Sequence, residues 1–280
     1  MTKFLLHNFM IEEHVKSALK EDIGFGDIST DFLASDDDYI SASLNIRQDG
    51  ILCGLDIFKK VFEILDKDIE IISYFKDGDV LKKGDKIADI KGRARFILTG
   101  ERTALNYIQR LGGIATETAK YAEAIKPYSA KIVDTRKTTP NFRMFEKYAV
   151  KVGGGSLHRF NLCDCVMLKD NHIKLAGSIT NAVNKIRDNV SHAHKVEVEC
   201  DTFEQVKECV SVGVDIIMLD NMTVEQMKEC VKYIDGSAIV EASGNVNLQT
   251  VNSIASTGVD IISSSAIVAK APTLDIGLDM

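Results

Sequence analysis

Two rhythms of apolar and polar positions divide the chain. Over Ile40-Ser41-Ala42-Ser43-Leu44-Asn45-Ile46-Arg47 every second residue is apolar, which predicts a half-buried strand in an antiparallel or mixed sheet. Ile57, Phe58, Val61, Phe62 and Leu65 then recur at helical spacing. The triplets Asp77-Gly78-Asp79 and Lys83-Gly84-Asp85 read as turns between short strands. A long helical pattern follows from Phe96 to Ile125, with Leu105, Ile108 and Leu111 on one side. Within it, Gly112-Gly113 predicts an interruption.

From Lys131 the rhythm becomes strand, helix, strand, helix. Strands are expected at 131–135, 165–169, 195–199, 214–219, 238–242 and 259–263, with amphipathic helices such as Thr202–Val212 and Thr223–Tyr233 between them. The pentapeptide Gly-Val-Asp-Ile-Ile occurs at 213–217 and again at 258–262. Repeated strand–helix units imply parallel strands joined by right-handed crossovers. Such strands either curl into a barrel or lie as an open doubly wound sheet with a ligand crevice. Residues i and i+2 of a strand share a face. Glu197 and Glu199 therefore project together, and Lys169, Asp220 and Glu241 lie opposite Leu168, Leu219 and Val240. Polar residues at successive strand ends favour the barrel, whose active sites form there.

With 45% hydrophobic and 27% charged residues in 280, disorder and fibrous repeats are poor readings. The net charge of −7 gives no general attraction to nucleic acid or anionic membrane, so an anionic ligand must be caught by a local positive cluster. Six cysteines without a CxxC pair read as reduced. No signal-peptide-like start and no apolar run of about 18 residues is present. A soluble, cytoplasmic protein is expected.

The local cluster exists. Asp134-Thr135-Arg136-Lys137-Thr138-Thr139-Pro140 leaves a strand, and its Arg, Lys and hydroxyls suit carboxylate or phosphate oxygens. Gly153-Gly154-Gly155-Ser156-Leu157-His158-Arg159 combines flexible backbone with two more donors, although a glycine run is often only a helix stop. Leu168-Lys169-Asp170-Asn171-His172 is a strand ending in polar residues. Over 134–174, eight Lys and Arg face four Asp and Glu, a balance of +4. Glu197, Glu199, Asp220 and Glu241 answer from the later strands. They could meet sugar hydroxyls or a hard divalent cation, or each could simply pair with a lumen lysine, for example Lys169 with Glu197. Ser243-Gly244-Asn245 reads as a phosphate cradle or a plain turn. Arg102, at Glu101-Arg102-Thr103-Ala104-Leu105-Asn106, could be a surface ion-pair residue or, in a dimer, reach a partner's pocket.

These motifs together resemble the quinolinate phosphoribosyltransferase family, also called nicotinate-nucleotide pyrophosphorylase (carboxylating). The likeness runs nearly end to end. It includes Glu21 through Asp27, Glu101 through Asn106, Gly113-Ile114-Ala115-Thr116, Asp134 through His172, Glu197-Val198-Glu199, Leu219-Asp220-Asn221 and Glu241-Ala242-Ser243-Gly244-Asn245. The resemblance implies an α/β fold: an N-terminal α/β sandwich domain (1–113, completed by the tail 270–280) and an incomplete α/β (TIM-like) barrel (114–269). It implies joining of quinolinate to phosphoribosyl pyrophosphate with Mg²⁺, giving nicotinate mononucleotide, pyrophosphate and carbon dioxide. Arg102, Thr135, Arg136, His158, Arg159 and Lys169 would hold the quinolinate carboxylates. Lys137, Glu199, Asp220, Ser243, Gly244 and Asn245 would surround the phosphoribosyl group, followed by Ser264, Ser265 and Ala266. Glu199 and Asp220 would bind the metal, and Lys137, Lys169, Glu199 and Asp220 would carry the catalysis. Homodimers, with a hexameric trimer of dimers as a larger assembly, would place Arg102 in the neighbour's site.

Three positions depart from the family pattern. Ser265 stands where glycine is common, Val268-Ala269-Lys270 replaces a Thr-His-Ser run, and Leu157 replaces a frequent Asn. The competing readings are a molybdenum-transport-associated pyrophosphorylase homologue, a Schiff-base aldolase using Lys169, and a catalytically inactive sensor of pyridine metabolites.

Overall fold

The computed structural model describes residues 6–280. In chain order its first elements are α1 (Asn8–Ile23), α2 (Thr30–Leu33), β1 (Tyr39–Ile46), β2 (Gly50–Ile51), α3 (Leu55–Leu65), β3 (Glu70–Ser73), β4 (Val80–Leu81), β5 (Lys86–Arg93) and α4 (Ala94–Ala124). Then come β6 (Lys131–Val133), α5 (Arg143–Val152), β7 (Val166–Leu168), α6 (Asp170–Ala176), α7 (Ile179–Arg187), β8 (Val196–Cys200) and α8 (Phe203–Val212). The last are β9 (Ile216–Asp220), α9 (Val224–Ile234), β10 (Ile239–Ser243), α10 (Val251–Ala255), β11 (Ile261–Ser263), α11 (Ala266–Ala269) and β12 (Ile276–Asp279). They form two compact units: residues 6–117 with 144–154 and 271–280, and residues 118–143 with 155–270.

In the first unit, β12-β1-β5-β3 make an antiparallel sheet. The alternation of β1 puts Ala42, Leu44 and Ile46 in the core. Ile57, Phe58, Val61 and Phe62 of α3 are fully buried, with α3 packed on α1. Complete burial of each such side chain stabilises the fold by roughly 1.5–3 kcal/mol. The interruption expected at Gly112-Gly113 does not occur, and α4 runs through both. Close packing explains it: a Cβ on Gly113 would stand 1.9 Å from the Pro272 carbonyl oxygen. The glycine admits the C-terminal tail against the helix, and Gln109 secures that tail by donating to the Ile276 carbonyl at 2.7 Å.

In the second unit, six parallel strands follow the order β6-β11-β10-β9-β8-β7. A doubly wound sheet reverses direction around an internal first strand. Here the first strand pairs with the last, as in a sheet curling on itself, and β6 and β7 are unpaired to each other. The result is an incomplete α/β barrel. Val198, Ile217, Leu219, Ala242 and Ile262 are fully buried. Thr202 and Thr223 start α8 and α9 as reciprocal caps with Gln205 and Gln226. Both copies of the repeated pentapeptide do the same work. Asp215 accepts the Val196 N–H and Asp260 the Val240 N–H, each at 2.8 Å, pinning the start of the neighbouring strand.

Candidate active site

The carboxyl ends of these strands surround one cavity of about 670 Å³. It gathers Thr135, Arg136, Lys137, His158, Arg159, Lys169, Glu199, Asp220, Ser243, Gly244, Asn245, Ser264, Ser265 and Ala266 on its wall. Arg102 lies exposed on α4, in the first unit.

After β6, Asp134 is fully buried and accepts the His158 N–H at 2.9 Å, tying two loops together. Thr135 Oγ1 accepts the Lys137 N–H at 3.0 Å, which shapes the turn that presents Arg136 and Lys137. Both cations are exposed, and neither forms an ion pair with the described residues. Arg143 braces the loop by donating to Thr138 Oγ1 and the Phe160 carbonyl, each at 3.0 Å. The glycine run proves to be a helix stop: Gly154 turns with φ +89°, Ser156 N–H donates to the Ile132 carbonyl, and no glycine of the run lines the cavity. Its effect is to deliver His158 and Arg159 beside β6. Arg159 is held by the Cys165 carbonyl at 2.8 Å.

On β7 and β8, Lys169 pairs with Glu199 rather than with Glu197. Register decides this: Met167 is opposite Glu197, so Lys169 falls opposite Glu199. Glu197 shares the face of Glu199 but lies two residues deeper, fully buried beneath the cavity. Glu241 is also deeper than expected, because β10 runs on to Ser243 and leaves Glu241 in mid-strand, 2% exposed. His158 Nε2 lies 3.5 Å from Glu197 Oε1 and 3.4 Å from Glu241 Oε1. Burial by itself depresses the ring's pKa, but the two carboxylates outweigh it and raise the pKa to about 10. The Arg159 N–H reaches Nδ1 at 2.7 Å and favours the neutral ring, a single dipole set against two buried charges. Glu197 is shifted upward by burial and by Glu241, and His158 opposes the shift. The three side chains could also ligate a metal, their ligand atoms lying within 4.8 Å of one another. With its pKa raised by the two carboxylates, the imidazole offsets charge that they bury.

The remaining wall comes from β9, β10 and β11. Asp220 Oδ2 accepts from Asn221 Nδ2 at 2.7 Å. Asn245 Nδ2 donates to Asn221 Oδ1 at 3.0 Å, and the Asn221 N–H donates to the Ser243 carbonyl at 3.0 Å, so the two strand ends are knitted together. Gly244 has φ +89°, and a Cβ there would stand 2.2 Å from Asn221 Oδ1. Only glycine fits. Ser264 Oγ accepts the Ala266 N–H at 3.2 Å and donates to the Val246 carbonyl. Asn171 and His172 are absent from the wall, since α6 begins at Asp170 and His172 Nδ1 accepts the Lys169 N–H. Sequence reasoning left out Met167 and Met218, which line the cavity. Strand parity was the available signal, because they precede Lys169 and Asp220 by two residues.

Two family models match the chain: quinolinate phosphoribosyl transferase, N-terminal domain, over residues 27–112, and its C-terminal domain over residues 114–279. A curated protein of Bacillus subtilis, named probable nicotinate-nucleotide pyrophosphorylase (carboxylating), is 39% identical over 98% of this chain and 95% of its own. A Synechocystis protein of the same name is 42% identical over 97% and 92%. Among solved structures, NadC from Streptococcus pyogenes superposes with TM-score 0.95 at 42% identity, covering 98% of this chain and 97% of that one.

Proposed function

We propose that this chain, which belongs to the quinolinate phosphoribosyltransferase family, joins quinolinate to phosphoribosyl pyrophosphate and releases pyrophosphate and carbon dioxide, giving nicotinate mononucleotide for NAD synthesis. One observation carries the reading: an acidic chain gathers Arg136, Lys137, Arg159 and Lys169 around a single cavity. Quinolinate has two adjacent carboxylates and its co-substrate carries phosphate and pyrophosphate, so a cationic hollow is what this pair requires.

Arg136, Arg159 and Lys169, with Thr135 and His158 beside them, hold the carboxylates and aim the ring nitrogen at the sugar carbon. As the nitrogen attacks and pyrophosphate departs, positive charge builds on the sugar and is met by the carboxylates on the wall. Lys137 takes up charge on the leaving group. Carbon dioxide then departs and leaves its bonding electron pair on the ring carbon, where the adjacent quaternised nitrogen stabilises it until a proton takes up the pair. Positioning and electrostatics suffice, without a covalent nucleophile. A Schiff-base role for Lys169 fits poorly, because its amine is engaged by the Glu199 carboxylate.

Mg²⁺ suits the donors present. Glu199 and Asp220 are hard oxygen ligands on adjacent strands, and magnesium is commonly held by one or two carboxylates together with substrate phosphates. When bound, the ion would neutralise charge on the pyrophosphate. A homodimer is supported by the exposed apolar side chains Phe25, Ile28, Phe32 and Leu33, with Arg102 completing the partner's pocket. No described helix is long and apolar enough to cross a membrane, in keeping with a cytoplasmic enzyme. Purified protein given quinolinate, phosphoribosyl pyrophosphate and Mg²⁺ should form nicotinate mononucleotide with one carbon dioxide per turnover. Absence of product under these conditions would reject the reading.

A further inference from the structure

The rim formed by β10 and β11 differs from the rest of the wall. It presents hydroxyls and backbone: Ser243, Gly244, Asn245, Ser263, Ser264 and Ser265. The Gly244 and Ser265 amides donate to no described residue, and Ser265 Oγ has no hydrogen-bond partner among them. Such a surface hydrogen-bonds an anion but carries no charge to balance it. On this rim a single Lys or Arg lines the cavity, and it is Lys270. Its ammonium forms no ion pair with the described residues, in contrast to Lys169 across the cavity.

We propose that Lys270 is the cation that receives the sugar 5′-phosphate of the phosphoribosyl donor, and so sets the affinity for that substrate. The inference rests on the function proposed above. A phosphate monoester carries about −1.5 to −2 charge at neutral pH, more than hydroxyls and amides can offset. The other cations are committed elsewhere: Arg136, Arg159 and Lys169 face the dicarboxylate, and Lys137 the leaving pyrophosphate. Lys270 follows the serines on the connection after β11, so one segment supplies both hydrogen bonds and charge.

The test compares wild-type chain with Lys270→Ala and Lys270→Arg, using ribose 5-phosphate and phthalate as calorimetric probes. Lys270→Ala should weaken ribose 5-phosphate binding about tenfold and raise KM for phosphoribosyl pyrophosphate by a similar factor. Phthalate binding and the melting temperature should not change, and Lys270→Arg should recover most of the loss. Ribose 5-phosphate affinity within twofold of wild type, or an equal loss of phthalate affinity, would overturn the proposal. A wild-type chain that makes nicotinate mononucleotide while Lys270→Ala is indifferent sinks this inference alone. Lys270-dependent ribose 5-phosphate binding without turnover sinks the enzymatic reading and keeps the subsite.

Discussion

The two flanks of the cavity treat charge in opposite ways. At the ends of β7 and β8 and beneath the cavity it is balanced within the protein: Lys169 pairs with Glu199, and His158, from the loop beside β6, sits on Glu197 of β8 and Glu241 of β10. Along β6 and β11, Arg136, Lys137 and Lys270 extend into the cavity without acidic partners. The first flank is therefore part of the folded structure's own electrostatics, whereas the second is built for charge that arrives with a ligand. Mutations should separate them, since damage to the first group reads out in stability as well as in binding and damage to the second in affinity alone.

The largest effect is expected at His158. Its removal leaves Glu197 and Glu241 buried without their countercharge, a loss that typically costs 3–5 kcal/mol. His158→Ala should lower unfolding free energy by about 3 kcal/mol in urea titrations. A loss near zero would mean that the two buried side chains do not depend on the histidine. On the other flank, Arg136→Ala should raise KM for quinolinate some thirtyfold or more, about 2 kcal/mol, while stability stays within about 0.5 kcal/mol. Equal damage to both quantities would erase the distinction between the flanks.

Gly244→Ala comes next. Positive φ and the 2.2 Å approach to Asn221 Oδ1 should together cost on the order of 1–3 kcal/mol and disturb Asp220 through Asn221. A variant as stable and active as wild type would contradict that account. The same histidine also gives a pH dependence. A histidine whose pKa rises on folding from 6.5 to about 10 contributes stability that is fully present below 6.5 and fades as pH climbs through 10. The stability gap between wild type and His158→Gln should therefore narrow from pH 6 to pH 10. A gap that widened would reverse the sign assigned to the shift.

Much of this arrangement was legible in the residues, and what was missed has a common cause. Each parallel strand of the second unit lies within about two residues of its expected place, because alternation and turn residues encode the strand itself. Parity put Glu197, Glu199, Asp220 and Glu241 on the inner face, where they stand. Depth was not legible. Glu197 and Glu199 look identical in sequence, yet one is buried beneath the cavity and the other lines it, and only inter-strand register separates them. The same register turned the expected Lys169–Glu197 pair into Lys169–Glu199. Gly112-Gly113 misled for a related reason: the residues that fill the space of their missing side chains, Leu274 and Pro272, lie far along the chain.

The central claim is that this cavity is charged to hold a pyridine with two adjacent carboxylates. It is tested most directly by measuring kcat/KM for quinolinate and for nicotinate side by side, with phosphoribosyl pyrophosphate and Mg²⁺ saturating. The account predicts that nicotinate, lacking the second carboxylate and leaving cationic donors unmatched, is used at least about a hundredfold less efficiently. Equal efficiency with both acids would contradict it.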